Sequence, residues 1–168
     1  MPAKKKDKPS SKYMKESQVT MIELVLPNDT NIMNNLLGGR LMHWMDIAAA
    51  MAASRHCNTV AVTAVVDDLS FHEPIKLGNI VTLRASVNRA FNTSMEVGVR
   101  VEVEDFETGE KHHSNSAYFT FVSIESKSGQ KMSVPQIIPE TDEEKKWYND
   151  ALLRRNQRLQ KKHGIVQH

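Results

Sequence analysis

Apolar positions recur along this chain in two periods, and the points where the period changes divide it into elements. From Gln18 to Leu26 β-branched and aliphatic residues dominate until Pro27-Asn28-Asp29, a turn-forming cluster, which predicts a first strand. After Gly38-Gly39 the segment RLMHWMDIAAAMAASRH is rich in Leu, Met and Ala, which favour helix. Its apolar side chains surround almost the whole cylinder, which predicts a long buried helix. The period then drops to two. Thr59 to Phe71 reads as a strand closed by Pro74, and Asn79 to Arg89 places Val81, Leu83, Ala85 and Val87 on one side. Met95 to Glu104 puts Val97, Val99, Val101 and Val103 inward and Glu96, Arg100, Glu102 and Glu104 outward. Asp105 to Glu110, with Thr108-Gly109, reads as a hairpin turn, and Ser116 to Ile124 returns with Phe119 and Phe121.

A strand, a long helix and four more strands joined by short connections predict an α+β fold, a helix against one face of an antiparallel meander. The ends read differently from this middle. Residues 1–17 are Lys- and Ser-rich with Pro2 and Pro9, too polar to offset the entropy of ordering, and predict a mobile basic tail. Asp142 to His163 predicts a polar surface helix, with Thr141 as N-cap, acidic residues in the first turn and basic ones in the last. The expected division is a tail over 1–17, one domain over 18–139, and a helix and tail over 140–168.

Length and charge narrow the function classes. A chain of 168 residues fits one core. Its net charge of +2 is concentrated in the two ends, and aromatics make up 6% of it, so the folded part lacks the basic, aromatic-studded stripe that nucleic acid demands. Cys57 is the single cysteine, which rules out an intrachain disulfide and fits a reducing compartment, with the cytoplasm as the expected location. No stretch approaches the ~20 apolar residues of a membrane span, and no apolar run follows the N-terminal lysines, so neither a membrane nor a secretory role is expected.

One residue is out of place in the apolar helix. Asp46 sits one turn from Met42, Ala49 and Ala50, where a carboxylate is costly without a partner or a task, and desolvation would raise its pKa toward that of a general base. The other reading is a polar seam or an interface pair. Asn35, in the loop before the two glycines, suits a turn, but beside a helix N-terminus its carboxamide also suits orienting a water or a carbonyl. The first free N–H groups of that helix would form an oxyanion site.

The strings PNDTNIMNNLLGGRLMHWMD, SFHEPIKLGNIV and NTSMEV together carry a resemblance. From Val19 to Ile124 the chain resembles the hotdog-fold acyl-CoA thioesterases, in the branch of small bacterial single-hotdog acyl-CoA hydrolases related to animal cytosolic tandem-domain enzymes. The resemblance implies a hotdog fold, an antiparallel sheet wrapped around one central helix. It implies hydrolysis of acyl-CoA to fatty acid and CoA, with Asn35 and Asp46 as the catalytic pair meeting across a dimer interface and the Gly39 N–H polarising the thioester. No cofactor or metal is implied, since CoA is part of the substrate. Arg89 and the loop Asn92-Thr93-Ser94 fall where the family contacts CoA, although that composition is also ordinary for a turn. The family usually has Gly where this chain has Asn34, and an aromatic residue or His where it has Leu37.

Homo-oligomers are expected, a dimer of hotdogs extended to a trimer of dimers, the hexamer coming from the family. A hotdog hydratase or dehydratase, which pairs a histidine with a carboxylate, and a non-catalytic acyl-CoA-binding protein are the competing functions. His43 and His72 fall in no dehydratase-like motif, and a binding protein would not need Asp46. Cys57 beside His56 reads as a small buried residue, because sequence neighbours rarely face each other on a helix. His112-His113 lacks a further ligand at metal spacing, and Gly38-Gly39 lacks the Lys-Ser/Thr of a nucleotide-binding loop.

Overall fold

The computed structural model describes residues 10–67 and 69–164, with His163 described by its backbone alone. Its main sheet has five strands. β1 is Ser11–Tyr13, β2 Val19–Leu24, α1 Gly38–Cys57, β3 Val60–Val66, β4 Ile80–Ala90, β5 Ser94–Glu104, β6 Lys111–Ile124, β7 Gln136–Ile138 and α2 Asp142–Gly164. The sheet runs β2-β4-β5-β6-β3, antiparallel throughout. Only β4, β5 and β6 form the expected meander, for β3 pairs with β6 at the far edge.

One face of this sheet curls around α1. Val81, Leu83, Ala85 and Val87 of β4, Val97, Val99, Val101 and Val103 of β5 and Phe119 and Phe121 of β6 meet Leu41, Met45, Ala48, Ala49, Ala52 and Ala53 of the helix, all buried. The four alanines let the backbone of α1 lie close to the sheet, and burial of this apolar area is the main force holding the fold. α1 starts at the end where Val25 N donates to the Asn79 carbonyl and finishes at the end where the His56 ring meets the Pro135 carbonyl.

The opposite face is covered by α2. Glu96, expected to point outward, does so and is still fully buried, because Arg154 of α2 grips it with two hydrogen bonds of 2.7 and 3.1 Å. Asn88 Nδ2 adds a third at 3.0 Å. Gly98 leaves the room for Asn88, since a Cβ there would stand 2.7 Å from that amide. Arg100 stacks on Trp147 and Arg154 on Tyr118. Thr141 caps α2 as the sequence predicts, its Oγ1 accepting from Glu144 N at 3.1 Å.

Several expectations change. The tail read over 1–17 is ordered from Ser11 onward; the remaining part up to residue 9 lies outside the described residues. β1 pairs in parallel with β7, Met14 is buried in the core, and Lys12 Nζ donates to the Arg55 and His56 carbonyls at 3.2 and 2.8 Å. A lysine that looks like tail chemistry is thus spent on the negative end of α1. The strand read over Thr59 to Phe71 ends at Val66, and the strand read from Ser116 begins at Lys111. α1 is not buried all round: Met42, Ile47 and Met51 remain 39%, 37% and 41% exposed.

Candidate active site at the start of helix 1

The loop between β2 and α1 is built by its own short polar side chains. Asp29, buried, accepts from Leu26 N at 3.0 Å with one carboxylate oxygen and faces Arg40 Nε at 3.1 Å with the other. Its carbonyl accepts from Leu37 N at 2.9 Å, so one residue ties both ends of the loop to the first turn of α1. Asn31 Oδ1 accepts from Met33 N at 2.9 Å and Asn35 N at 3.2 Å, closing a tight turn. Asn34 sits in that turn at φ 57°, a left-handed conformation that Gly and Asn adopt most readily.

α1 then begins without a side-chain cap, since its N-cap is Leu37. Arg40 N and Leu41 N donate to the Leu37 carbonyl, while the Gly38 and Gly39 N–H groups find no acceptor among the described residues. The two glycines differ in surroundings. Gly38 is covered by the ring of Phe71, whereas Gly39 opens to free space. An unfilled pair of N–H donors at the positive end of a helix suits a developing oxyanion.

Asp46 lies about 12 Å further along, eight residues at ~1.5 Å each. It is half-buried, not enclosed as a wholly buried helix would require, and Thr63 Oγ1 of β3 donates to its Oδ1 at 2.7 Å. Thr63 is aimed by a bulge: the β3–β6 register shifts between Thr63 and Val65, leaving Ala64 unpaired. Sequence reading missed Thr63, which carries no local signal beyond a threonine in a β-branched run.

Asn35 is half-buried and lines a cleft of about 330 Å³ with Asn31, Gly38 and Phe71; Asp46 is not in its lining. Within one chain the expected pair is therefore not assembled. The residues read as contacts for CoA lie elsewhere. β4 spans roughly 33 Å for strands of this length, and the turn Asn92-Thr93-Ser94 is at its far end from the Asn35 loop. There Arg89 stacks on Tyr148 at 4.0 Å and donates to the Tyr148 carbonyl at 3.2 Å, and Ser94 Oγ accepts from Arg155 at 3.4 Å, so both are engaged by α2.

Both the sequence and the fold have counterparts among known proteins. Residues 33–110 match the family model of the thioesterase superfamily. YkhA of Bacillus subtilis, named as an acyl-CoA thioester hydrolase, is 39% identical over 92% of this chain and 89% of its own length. The chain belongs to the acyl-CoA thioester hydrolases of the thioesterase superfamily. The human cytosolic acyl coenzyme A thioester hydrolase is 35% identical over 93% of this chain, which spans 41% of that longer protein.

Solved structures agree on the fold. An apo-hexameric acyl-CoA thioesterase superposes with a TM-score of 0.87 at 34% identity, covering 90% of this chain and 97% of its own. The Staphylococcus aureus acyl-CoA hydrolase, in complex with butyryl coenzyme A, coenzyme A and coenzyme A disulfide, superposes at 0.82 and 34% identity over 93% of this chain and 97% of its own. The same enzyme has been solved with an asparagine, an aspartate and a threonine each replaced by alanine, the aspartate 15 positions after the asparagine and the threonine 17 after the aspartate.

Proposed function

We propose that the protein hydrolyses acyl-CoA to a free acid and CoA, with Asp46 activating the attacking water. The observation that carries this reading is the Thr63–Asp46 hydrogen bond at 2.7 Å, on the same helix whose start is left uncapped. Spacing supports it as well. Asn31, Asp46 and Thr63 are separated by 15 and 17 positions, the separations of the three residues replaced in the S. aureus enzyme. On that spacing the carboxamide belongs to Asn31, in the role the sequence suggests for Asn35, which then shapes the turn behind it.

The chemistry follows from these groups. The thioester carbonyl lies at the helix N-terminus, polarised by the Gly39 N–H, with the carboxamide orienting carbonyl or water. Asp46 takes a proton as the water oxygen attacks the carbonyl carbon, and the negative charge collects on the carbonyl oxygen facing the donors. The intermediate collapses with cleavage of the C–S bond, and the CoA thiolate leaves and takes up a proton. CoA enters as substrate and leaves as product, and no cofactor takes part. Asp46 as a nucleophile through an acyl anhydride is separated by single turnover in ¹⁸O-water, where label in the Asp46 carboxylate marks the anhydride route.

The separation of Asp46 from the loop calls for a second copy. β3 is an unpaired edge with Val60, Val62, Val65 and Val66 exposed, and the uncovered Met42, Ile47 and Met51 belong to the neighbouring α1. Pairing two β3 edges covers both and brings the loop of one subunit toward Asp46 of the other. The hexameric relative supports a trimer of such dimers, and in that assembly the proposed role of the Arg89 and Asn92-Thr93-Ser94 end is to contact CoA held by another subunit. The proposed location is the cytoplasm, as the name of the human relative suggests; no helix among the described residues is long and apolar enough to cross a membrane.

Release of free CoA thiol from a panel of acyl-CoAs, with wild type and Asp46→Ala side by side, tests the reading. Turnover by wild type and a loss of about 10²-fold or more in the variant, at unchanged oligomer mass by light scattering, supports it. No turnover on any chain defeats it, and a monomer mass defeats the assembly.

A further inference from the structure

Between β3 and β4 the chain passes over the start of α1 and is fastened at two points. The Asp67 carboxylate accepts from Arg158 Nη1 at 2.7 and 3.0 Å, and the Ser70 carbonyl accepts from Asn115 Nδ2. Within this segment Phe71 lays its ring against Gly38. A Cβ at Gly38 would stand 3.2 Å from Cε2 and 3.4 Å from Cζ of that ring, tighter than ordinary van der Waals contact, so the glycine is what admits the phenyl. Gly39, one residue on, meets nothing within 4 Å. The ring therefore walls one side of the helix start and leaves the other free for a carbonyl.

That wall bounds the cleft of about 330 Å³, whose apolar lining is Leu36, Leu41, Phe71, Pro74 and Ile75. Its polar lining is Asn31, Asn35, His72 and Glu73, the last with its side chain 73% exposed at the rim. An alkyl chain finds five apolar side chains, including a Phe71 ring that is still 48% exposed. Two arms leave a thioester carbonyl resting at Gly39, an alkyl chain on one side and the neutral, amide-bearing pantetheine on the other, and the alkyl chain is the one that five clustered apolar side chains suit.

We infer that this cleft receives the acyl chain and that Phe71 sets how long a chain it accepts, an inference that rests on the thioesterase reading above. Phe71 acts as a specificity residue. It moves no proton and contacts the chain instead of the reacting carbonyl. Removing the ring opens the cleft toward the β3–β4 segment, and enlarging it shortens the cleft.

The test is kcat/KM for straight-chain acyl-CoAs from acetyl to palmitoyl, measured on wild type, Phe71→Ala and Phe71→Trp, with melting temperatures alongside. The expected result is a shift in opposite directions: the long-to-short ratio rises by about 10-fold or more in the alanine variant, the scale of a methylene's worth of space in an apolar pocket, and falls in the tryptophan variant. If Phe71→Ala does not fold, Phe71→Leu against Phe71→Trp gives the same comparison. An unchanged profile in both variants overturns the inference. A uniform loss at every chain length also overturns it, since the ring then only supports the loop. Wild type without turnover on any chain is a different failure, that of the thioesterase reading itself.

Discussion

Thr63 Oγ1 donates to Asp46 Oδ1 at 2.7 Å, joining the edge strand of the sheet to the middle of the central helix. The hydroxyl occupies one oxygen of the carboxylate and leaves the other for a water, so the aspartate is aimed as well as present. Asp46→Asn keeps the shape and loses the base, and turnover is expected to fall by about 10² or more. Thr63→Val removes only the aiming bond and should cost roughly 10-fold, the worth of a hydrogen bond to a charged group. Steady-state thiol release on both variants checks the order; an equal loss from each would make Thr63 a participant in the reaction.

The two asparagines of the loop separate by the same assay. Asn31→Ala is expected to lower kcat by about 10²-fold, the scale of one oxyanion-stabilising donor, while Asn35→Ala should stay within about 10-fold of wild type. The reverse order would return the carboxamide role to Asn35.

A third expectation concerns stability. Glu96 is fully buried and held by Arg154 and Asn88. Arg154→Ala strands that carboxylate and should cost about 3–5 kcal/mol in denaturant unfolding. Combining Arg154→Met with Glu96→Gln removes both charges and should recover most of the loss. If the double variant is as unstable as Arg154→Ala, α2 is held by its aromatic stacking and not by the ion pair.

His56 gives the protein a pH dependence on its acid side. The ring is fully buried; Nε2 donates to the Pro135 carbonyl at 2.7 Å, and Nδ1 has no partner among the described residues. Burial pushes its pKa below the usual 6.5, and Lys12 adds to this while the Pro135 carbonyl and Glu16 oppose it. The unfolded chain therefore takes up a proton near pH 6.5 that the folded chain refuses, so stability falls as pH drops below that value. Melting temperature followed from pH 7.5 down to about 5 should decline less steeply in His56→Gln than in wild type. Parallel curves would assign the decline to other groups.

Much of the fold was legible because its periods are clean. Val97, Val99, Val101 and Val103 alternate without interruption, and the inward face of β5 follows from them directly. Asp46 was legible for the opposite reason, as the one charge in a run of Leu, Met and Ala. Other features depend on contacts distant in sequence. Lys12 looks like a solvated tail until the end of α1, more than forty residues away, is placed beneath it. Glu96 reads as a surface residue because nothing local announces that Arg154, 58 positions later, will cover it. The exposed stripe of α1 is apolar in the way a buried stripe is, so periodicity does not tell a face turned to the core from one left bare on the single chain.

The bare β3 edge bears on what stability means for this molecule. With Val60, Val62 and Val65 beside an unpaired row of backbone groups, a lone chain carries a strand ready to join another, its own copy or a misfolded neighbour. If the copy is the usual partner, folding and association share one equilibrium, and the midpoint of thermal unfolding climbs with protein concentration. Dilution then acts on this protein as a mild denaturant, loosening the very gap between helix and edge strand that Thr63 and Asp46 bridge.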